Sequence, residues 1–353
     1  MNTQMYNAPG LWALAVGFVV AVVFGAPTIN TLRILKFGQN INEDAPETHR
    51  IKQGTPTMGG VLIVVGTVLS LIAVMAVTAY TRSGTINLRS LSGLLAIVFV
   101  FLAHAAVGFI DDYRNIRGGH SLGLKAREKL FLQTAITAVF VVWRLVTADS
   151  ITTTVCYWPG LSIDLGSSYY VLCALWMIGL SNAVNLTDGC DGLAGSLTIL
   201  AALGISWTIF TNHSGSEWIP LFGYGLAGSS LGFLWFNAHP AKVFMGDTGS
   251  LAIGAGLAAL CIVGKQEILG LLFMFVFLME MVSVMIQVTV VRLTGGKATG
   301  KRVFKMTPIH HHFERCGWPE TTVVQRFIIL GAVALLVGML LAPSFSSWVL
   351  LGQ

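Results

Sequence analysis

Ten long apolar segments constrain what this chain can fold into more than any other feature of its sequence. They cover residues 11–32, 58–80, 90–110, 130–147, 168–187, 193–211, 218–236, 249–264, 267–291 and 326–350. A helix needs about 20 apolar residues to cross the hydrocarbon core of a bilayer. Because 54% of the 353 residues are hydrophobic and only 10% are charged, an ordinary water-soluble domain is excluded. The sequence predicts an all-α, polytopic membrane helical bundle with ten transmembrane helices.

No strand-like alternation accompanies these segments, which argues against a membrane barrel. No linker is long or polar enough to divide the chain, so we interpret residues 1–353 as a single integral-membrane domain.

The basic residues are distributed unevenly between the two sides of such a bundle. If the connection after the first helix faces the cytoplasm, 17 of the 21 Lys and Arg residues lie in five connections on that side. These connections are residues 33–57, 111–129, 188–192, 238–248 and 292–326. Cytoplasmic connections of membrane proteins are enriched in Lys and Arg. We therefore expect both termini outside, and the net charge of +5 reports sidedness rather than nucleic-acid binding.

Acidic and amide side chains collect in the same five connections. Asp111 and Asp112 follow the third apolar segment, and Asp247 precedes the eighth. At the end of the fifth segment, polar residues recur every three positions: Asn182, Asn185, Asp188 and Asp191. On a helix such a series drifts slowly around the surface, so we expect one continuous polar stripe.

The last of these connections adds imidazoles and further cations. It contains His310, His311 and His312 in succession, close to Lys305 and Arg315. Carboxylates suit Mg²⁺, which commonly binds one or two of them together with substrate phosphates. Lys, Arg and His donors can neutralise the remaining charge of a metal–diphosphate complex in the transition state. The combination indicates phosphoryl transfer at the membrane surface.

Each cluster also has a purely structural interpretation. The paired aspartates can be solvated residues at a helix end, and the polar series can supply interhelical hydrogen bonds. The "GDTG" at residues 246–249 can be a turn. The histidines can belong to a solvated loop or bind a transition metal. A shared site is favoured because all of the clusters are expected on one side of the membrane.

Five motifs resemble those of one family over nearly the whole chain. They are DAPETHRIKQGTPTMGG (44–60), GFIDDYRNI (108–116), NAVNLTDGCDGLAGS (182–196), VFMGDTGSLAIG (243–254) and KMTPIHHHFERCGW (305–318). Together they resemble the MraY family of bacterial phospho-N-acetylmuramoyl-pentapeptide transferases, within the polyprenyl-phosphate hexosamine-1-phosphate transferase superfamily. The paired aspartates are similar across that superfamily, whereas GTPTMGG and PIHHHFE are specific to this branch. Cys190 stands where the family pattern has leucine.

The resemblance implies a reaction and its partners. UDP-N-acetylmuramoyl-pentapeptide and undecaprenyl phosphate would give undecaprenyl-diphospho-N-acetylmuramoyl-pentapeptide (lipid I) and UMP, in peptidoglycan synthesis. It also implies Mg²⁺ as cofactor, a homodimer, and a place among the lipids of the bacterial inner membrane. The active site would lie on the cytoplasmic side, and no nucleic acid is an expected partner.

The resemblance also implies roles for individual positions. Asp247 matches the magnesium-binding aspartate. Neighbours on a helix point about 100° apart, so Asp111 and Asp112 are not expected to act identically. Asp111 is the preferred base for the lipid phosphate, with Asp112 supporting the site, although the sequence leaves the choice between the two open. Catalytic donors around the diphosphate or sugar are expected at His310, His311 and His312.

Substrate binding is implied for eight further positions. They are Lys52, Lys125, Asn185, Asp188, Gly189, Asp191, Asn237 and Phe244. Lys125 matches a basic residue near the diphosphate, and Phe244 resembles an aromatic that stacks on uracil. Lys52, the Gly189 backbone, Asp191 and Asn237 match positions near the nucleoside.

Three other functions stay open at this point. A sibling transferase would use UDP-N-acetylglucosamine, although the PIHHHFE motif argues against it. An ion-coupled transporter would use Glu280 as its intramembrane carboxylate. A scaffold would bind nucleotide or lipid without catalysis.

Overall fold

Among the residues that the structure describes, ten helices are long and apolar enough to cross a membrane, judged by length and composition. The computed structural model describes residues 4–35, 54–81, 87–117, 123–147, 153–158, 161–212, 217–296 and 300–349. The ten candidate spans are Pro9–Ile34, Gly60–Thr81, Leu88–Arg117, Ala126–Val146, Ser168–Thr187, Leu193–Thr211, Ile219–Asn237, Gly246–Val263, Phe275–Leu293 and Glu320–Ala342. The predicted all-α fold class is therefore confirmed.

The described residues form twelve helices and one small sheet. In chain order the helices are α1 Gln4–Ile34, α2 Gly60–Thr81, α3 Leu88–Arg117, α4 Ala126–Thr147, α5 Ser168–Thr187, α6 Leu193–Asn212, α7 Ile219–Asn237, α8 Gly246–Val263, α9 Glu267–Phe273, α10 Phe275–Leu293, α11 Ile309–Arg315 and α12 Glu320–Val349. The two strands, β1 Thr154–Trp158 and β2 Leu161–Asp164, lie between α4 and α5.

The two strands pair as an antiparallel hairpin in which Val155 lies opposite Ile163. The hydropathy pattern did not predict this hairpin, because strands of five and four residues are too short to show a clear alternation. Their composition carries the missed signal: β1 reads TVCYW, rich in the β-branched and aromatic residues that favour strands.

The ninth apolar segment contains two helices rather than the single one predicted. The chain leaves α-helical geometry at Met274, with φ −106° and ψ 17°, between α9 and α10. The Met274 N–H still donates to the Gly270 carbonyl, so the helical hydrogen bonds are hardly interrupted. Because the break contains neither glycine nor proline and stays apolar, hydropathy has no signal for it.

Two helix ends decide where the acids lie. Helix α3 continues to Arg117, beyond the predicted end at residue 110, so Asp111 and Asp112 lie inside a helix and not after it. Helix α5 ends at Thr187, as hydropathy predicts, so the expected polar stripe is helical only through Asn185. The chain turns after that point, with Gly192 at φ +78°, a conformation that side-chain-bearing residues rarely adopt.

Helix α8 lies at the centre of the bundle, with α3 and α5 packed against it. Helix α7 packs against α1 and α6. Small residues allow these close approaches: a Cβ on Gly228 of α7 would lie 2.0 Å from the Leu14 carbonyl oxygen of α1. Helices in a bilayer associate through such close van der Waals packing, because lipid tails are as apolar as the helices themselves.

Candidate active site

Asp112 joins the end of α3 to the start of α8. Its carboxylate accepts hydrogen bonds from the Asp247 N–H at 3.1 Å and the Thr248 N–H at 2.9 Å. The Thr248 hydroxyl donates a third, at 2.6 Å. A negative charge at a helix N-terminus satisfies otherwise unpaired N–H groups and interacts favourably with the helix dipole. Asp112 therefore caps α8 from a neighbouring helix and fixes where Asp247 stands.

Asp247 is held between a cation and an amide. The Lys129 ammonium of α4 lies 2.6 Å from Asp247 Oδ2. The Asn185 amide of α5 donates to Asp247 Oδ1 at 2.7 Å and to the Ser250 hydroxyl at 2.9 Å. Both carboxylate oxygens are thus oriented by neighbouring helices.

Asp111 has different partners from Asp112, because the side chains of adjacent helical residues point about 100° apart. Its Oδ1 accepts the Leu124 N–H at 2.7 Å and lies 3.4 Å from the Lys129 ammonium. A Cβ on Gly123 would lie only 2.8 Å from the Asp111 carboxylate oxygens. The segment before α4 therefore closes over Asp111 at a position that has room only for glycine.

Three carboxylates in this cluster could hold a cation together. One oxygen from each of Asp111, Asp112 and Asp247 lies within 4.8 Å of the others. Lys129 is the only ammonium within ion-pair distance of them in the described part of the chain, so three ionised carboxylates leave an excess of negative charge. Hard oxygen ligands of this kind suit Mg²⁺.

Asp188 completes the cluster from the end of α5. Its carboxylate faces Asp247 and Asp112 and lies near the Gly246 backbone N–H. Burial, together with these two neighbouring carboxylates, raises the pKa of Asp188 well above its ordinary value. Asp111, Asp188 and Asp247, which come from three separate connections in the sequence, therefore lie at one end of the bundle.

Asp191 belongs to a second group, although the predicted stripe would have aligned it with Asp188. Its Oδ2 accepts the Ala241 N–H at 3.1 Å and lies 3.0 Å from His239 Nδ1. Its own N–H donates to Glu320 at 2.8 Å. Asp191 therefore links the connection after α5 to the loop after α7 and to the start of α12.

The three adjacent histidines have three different partners. These are Glu280 for His310, Glu314 for His311 and the Lys305 N–H for His312. Because the Lys305 N–H donates to His312 Nδ1, the proton of a neutral His312 ring is on Nε2. His310 is fully buried and lies against Gly189, where a Cβ would be 2.4 Å from its Nε2.

The remaining predicted substrate-binding residues are placed less uniformly. Lys52 lies outside the described residues. Lys125 is exposed at the start of α4, one turn before Lys129. The buried Asn237 amide accepts the Gly192 N–H and donates to the Val243 carbonyl, and Phe244 is half-buried beside it.

Several residues that shape the cluster were missed from the sequence. Lys129 and Thr248 contact the acids directly, and Ser250 contacts Asn185. His239 contacts Asp191 in the second group. Lys129 could have been found from the sequence, because it lies four residues after Lys125 and therefore on the same face of a helix. The pairing of Glu280 with His310 joins positions 30 residues apart, and no local pattern reports it.

Comparison with known proteins agrees with this geometry. Residues 94–265 match the family model described as "Glycosyl transferase family 4". Residues 52–64 match the "Phospho-N-acetylmuramoyl-pentapeptide-transferase signature 1". The fold and these matches define an integral-membrane transferase.

Similar proteins of known name match almost the full length of this chain, and they indicate which transferase family it resembles. The protein is 42% identical over 335 residues to the phospho-N-acetylmuramoyl-pentapeptide-transferase of Shouchella clausii, covering 93% of this chain and 96% of the relative. It is 42% identical over 331 residues to that of Geobacillus kaustophilus, with the same coverage. The corresponding Picosynechococcus enzyme is 40% identical over 339 residues, covering 95% of this chain and 88% of the relative.

The chain belongs to the phospho-N-acetylmuramoyl-pentapeptide-transferase family. The resemblance of the five motifs is thereby confirmed, and the transferase hypothesis is supported over the ion-coupled transporter.

Proposed function

We propose that this protein transfers phospho-N-acetylmuramoyl-pentapeptide from UDP-N-acetylmuramoyl-pentapeptide to undecaprenyl phosphate, giving lipid I and UMP. One observation carries the proposal beyond family membership. Asp111, Asp112 and Asp247 lie together, with Lys129 paired to Asp111 and Asp247, at one end of a bundle whose helices are long enough to span a bilayer. A charged site at that depth suits an acceptor with a phosphate head and a long hydrocarbon tail.

The acidic cluster fits Mg²⁺ by ligand type and spacing. Asp247 and Asp111 are the best candidates to hold the ion, because the oxygens of Asp112 already accept three hydrogen bonds. Bound Mg²⁺ would withdraw negative charge from the diphosphate of the donor substrate.

The residues of the chain then perform four tasks. Lys129 keeps Asp111 and Asp247 close together despite their like charges. Asn185 sets the orientation of Asp247, and Asp112 fixes the start of α8. Asp111 orients the acceptor phosphate for in-line attack on the sugar-linked phosphorus and takes a proton where the phosphate carries one. UMP leaves from the opposite side of that phosphorus.

We place the donor substrate between the acidic cluster and α11. Gly189 and His310 lie side by side there, so the backbone of the connection after α5 and the imidazoles approach the same space. In this proposal His310, His311 and His312 serve the diphosphate or sugar. Lys52, Lys125, Asp188, Asp191, Asn237 and Phe244 keep the substrate-binding roles that the family pattern implies.

The membrane arrangement is part of the same proposal. The bundle spans the bacterial inner membrane as one domain with both termini outside and the site on the cytoplasmic side, where most Lys and Arg residues are expected. Two copies form a homodimer.

A direct test uses the purified full chain with undecaprenyl phosphate and Mg²⁺. UMP release is measured with UDP-N-acetylmuramoyl-pentapeptide and, separately, with UDP-N-acetylglucosamine. We expect release with the first donor only, abolished by a chelator and restored by Mg²⁺. Release with UDP-N-acetylglucosamine alone would assign the protein to the sibling reaction, and release with neither would contradict the transferase.

A further inference from the structure

Glu280 is a carboxylate in the middle of an apolar transmembrane helix. Helix α10 reads FVFLMEMVSVMIQVTVVRL, and Glu280 is its only acidic residue. Its side chain is fully buried. Ionisable groups at such positions are expensive to bury and generally face a partner within the bundle. The active site described above leaves this one without a role.

The partner that Glu280 faces is His310, at the start of α11. Glu280 Oε1 lies 3.1 Å from His310 Nδ1, which is ion-pair distance although the two groups are not aligned as a hydrogen bond. Glu280 Oε2 accepts the His310 backbone N–H in a long hydrogen bond of 3.4 Å. The carboxylate therefore contacts both the backbone and the ring of the same residue.

The opposite edge of the His310 ring faces the connection after α5. His310 Nε2 is buried and has no hydrogen-bond partner among the described residues. It lies so close to Gly189 that a Cβ there would be 2.4 Å away. One ring nitrogen thus faces a carboxylate in the helix, and the other faces the Gly189 backbone, which borders the space that we assign to the donor substrate.

We propose that Glu280 is a positioning residue that holds the His310 ring with Nδ1 protonated and Nε2 turned towards Gly189. A carboxylate beside one ring nitrogen fixes which nitrogen carries the proton and how the ring is oriented. A ring protonated only on Nδ1 accepts a hydrogen bond at Nε2 from a sugar hydroxyl of the bound donor substrate, whereas a doubly protonated ring donates from Nε2 to a phosphate oxygen. This inference rests on the proposed function, since it names a residue that serves the same site.

His311 shows a similar arrangement one residue later. Its Nδ1 lies 2.6 Å from Glu314 Oε2, and its ring centroid is 4.1 Å from that of His310. Each of the two adjacent imidazoles therefore lies beside a carboxylate, but the carboxylates belong to different helices. Glu314, beside His311, is on the same short helix α11, whereas Glu280, beside His310, is on the transmembrane helix α10. The rigid span sets the position of His310 relative to the membrane.

The test is a double-mutant cycle on the full chain in detergent, with kcat and KM for UDP-N-acetylmuramoyl-pentapeptide as readouts. We expect Glu280→Gln to lower kcat/KM by on the order of 10-fold or more, with partial recovery in Glu280→Asp. In a His310→Ala background the same Glu280→Gln change should cost less than about 2-fold, because coupled residues are not additive. Equal losses in both backgrounds, or no loss in either, would overturn the proposal.

Ser283→Ala is the matched control. Ser283 is buried, lies about one turn further along α10 and donates only to the Glu280 backbone carbonyl within the described residues. Its change should leave kcat and KM within about 2-fold of the unaltered enzyme, because a lost hydroxyl in a helix does not alter the carboxylate.

A second measurement needs no variant of Glu280 and covers the case in which that variant does not fold. Ring-nitrogen NMR of the ¹⁵N-histidine-labelled enzyme reports which nitrogen of His310 is protonated, with the resonance assigned by its loss in His310→Gln. A proton on Nδ1 supports the proposal, and a ring protonated only on Nε2 refutes it. If the unaltered enzyme released no UMP, the proposed function would be wrong. The NMR result would still show whether the His310 nitrogen that faces Glu280 carries the proton.

Discussion

Lys129 shows what a single residue contributes to the site. Its ammonium lies between two carboxylates, 2.6 Å from Asp247 and 3.4 Å from Asp111. Like charges this close repel each other unless a cation or a proton intervenes. The sequence predicts that the acids lie together, and the resemblance points to Lys125, but neither indicates that Lys129 lies between Asp111 and Asp247. Composition and motif spacing cannot tell which of two lysines on one helix face reaches an acid, because that depends on where the helix begins.

We predict that Lys129→Met lowers kcat by on the order of 100-fold, because the two carboxylates lose the cation that orients them. Steady-state UMP release measures the effect. Arg127→Met is the matched control: it removes one positive charge from an exposed position of the same helix and should stay within about 2-fold of the unaltered enzyme. Comparable losses in both variants would show that Lys129 acts only through the net charge of this end of α4.

At the scale of elements, the contact between α3 and α8 brings Asp111 and Asp112 to Asp247. Gly108, on α3, lies so near α8 that a Cβ would be 2.1 Å from the Asp247 backbone oxygen. Hydropathy predicts all ten spans, because the length and apolarity of a helix depend only on consecutive residues. It did not predict the break at Met274, which lies in an apolar stretch without glycine or proline.

Gly108→Ala tests that contact. The added methyl group has backbone on its far side, so α3 must move away from α8, at a cost of about 1–3 kcal/mol in stability. We expect a lower melting temperature together with reduced UMP release, since Asp247 moves relative to Asp111 and Asp112.

The control for Gly108→Ala is Gly179→Ala on α5. Gly179 has no atom within 4 Å of an added Cβ, and alanine favours a helix more than glycine does. Its melting temperature should be unchanged or slightly higher. An equal loss in the two variants would mean that the close approach of α3 and α8 does not explain the effect.

At the scale of the whole molecule, the site collects connections that are far apart in sequence at one end of the bundle. The ends of α3 and α5, together with the starts of α4, α8 and α11, all contribute. The bias of Lys and Arg predicts that this end faces the cytoplasm. That convergence was predictable in outline from sequence, whereas the individual contacts were not.

A native thiol can report the side of the membrane. Cys316 follows α11 and is exposed, whereas Cys173, Cys190 and Cys261 are buried. With Cys156→Ser to remove the hairpin thiol, an impermeant maleimide should label Cys316 in inside-out vesicles and not in intact spheroplasts. Labelling in spheroplasts would place α11 outside and reverse the proposed orientation.

Metal binding at the acidic cluster is the measurement that tests the account most directly. With Mn²⁺ as an EPR-visible substitute for Mg²⁺, metal affinity and UMP release are compared in the unaltered enzyme and in Asp247→Asn. We predict that the variant keeps its melting temperature, binds Mn²⁺ much more weakly and loses nearly all turnover. Turnover close to that of the unaltered enzyme at saturating Mg²⁺ would contradict the proposed site.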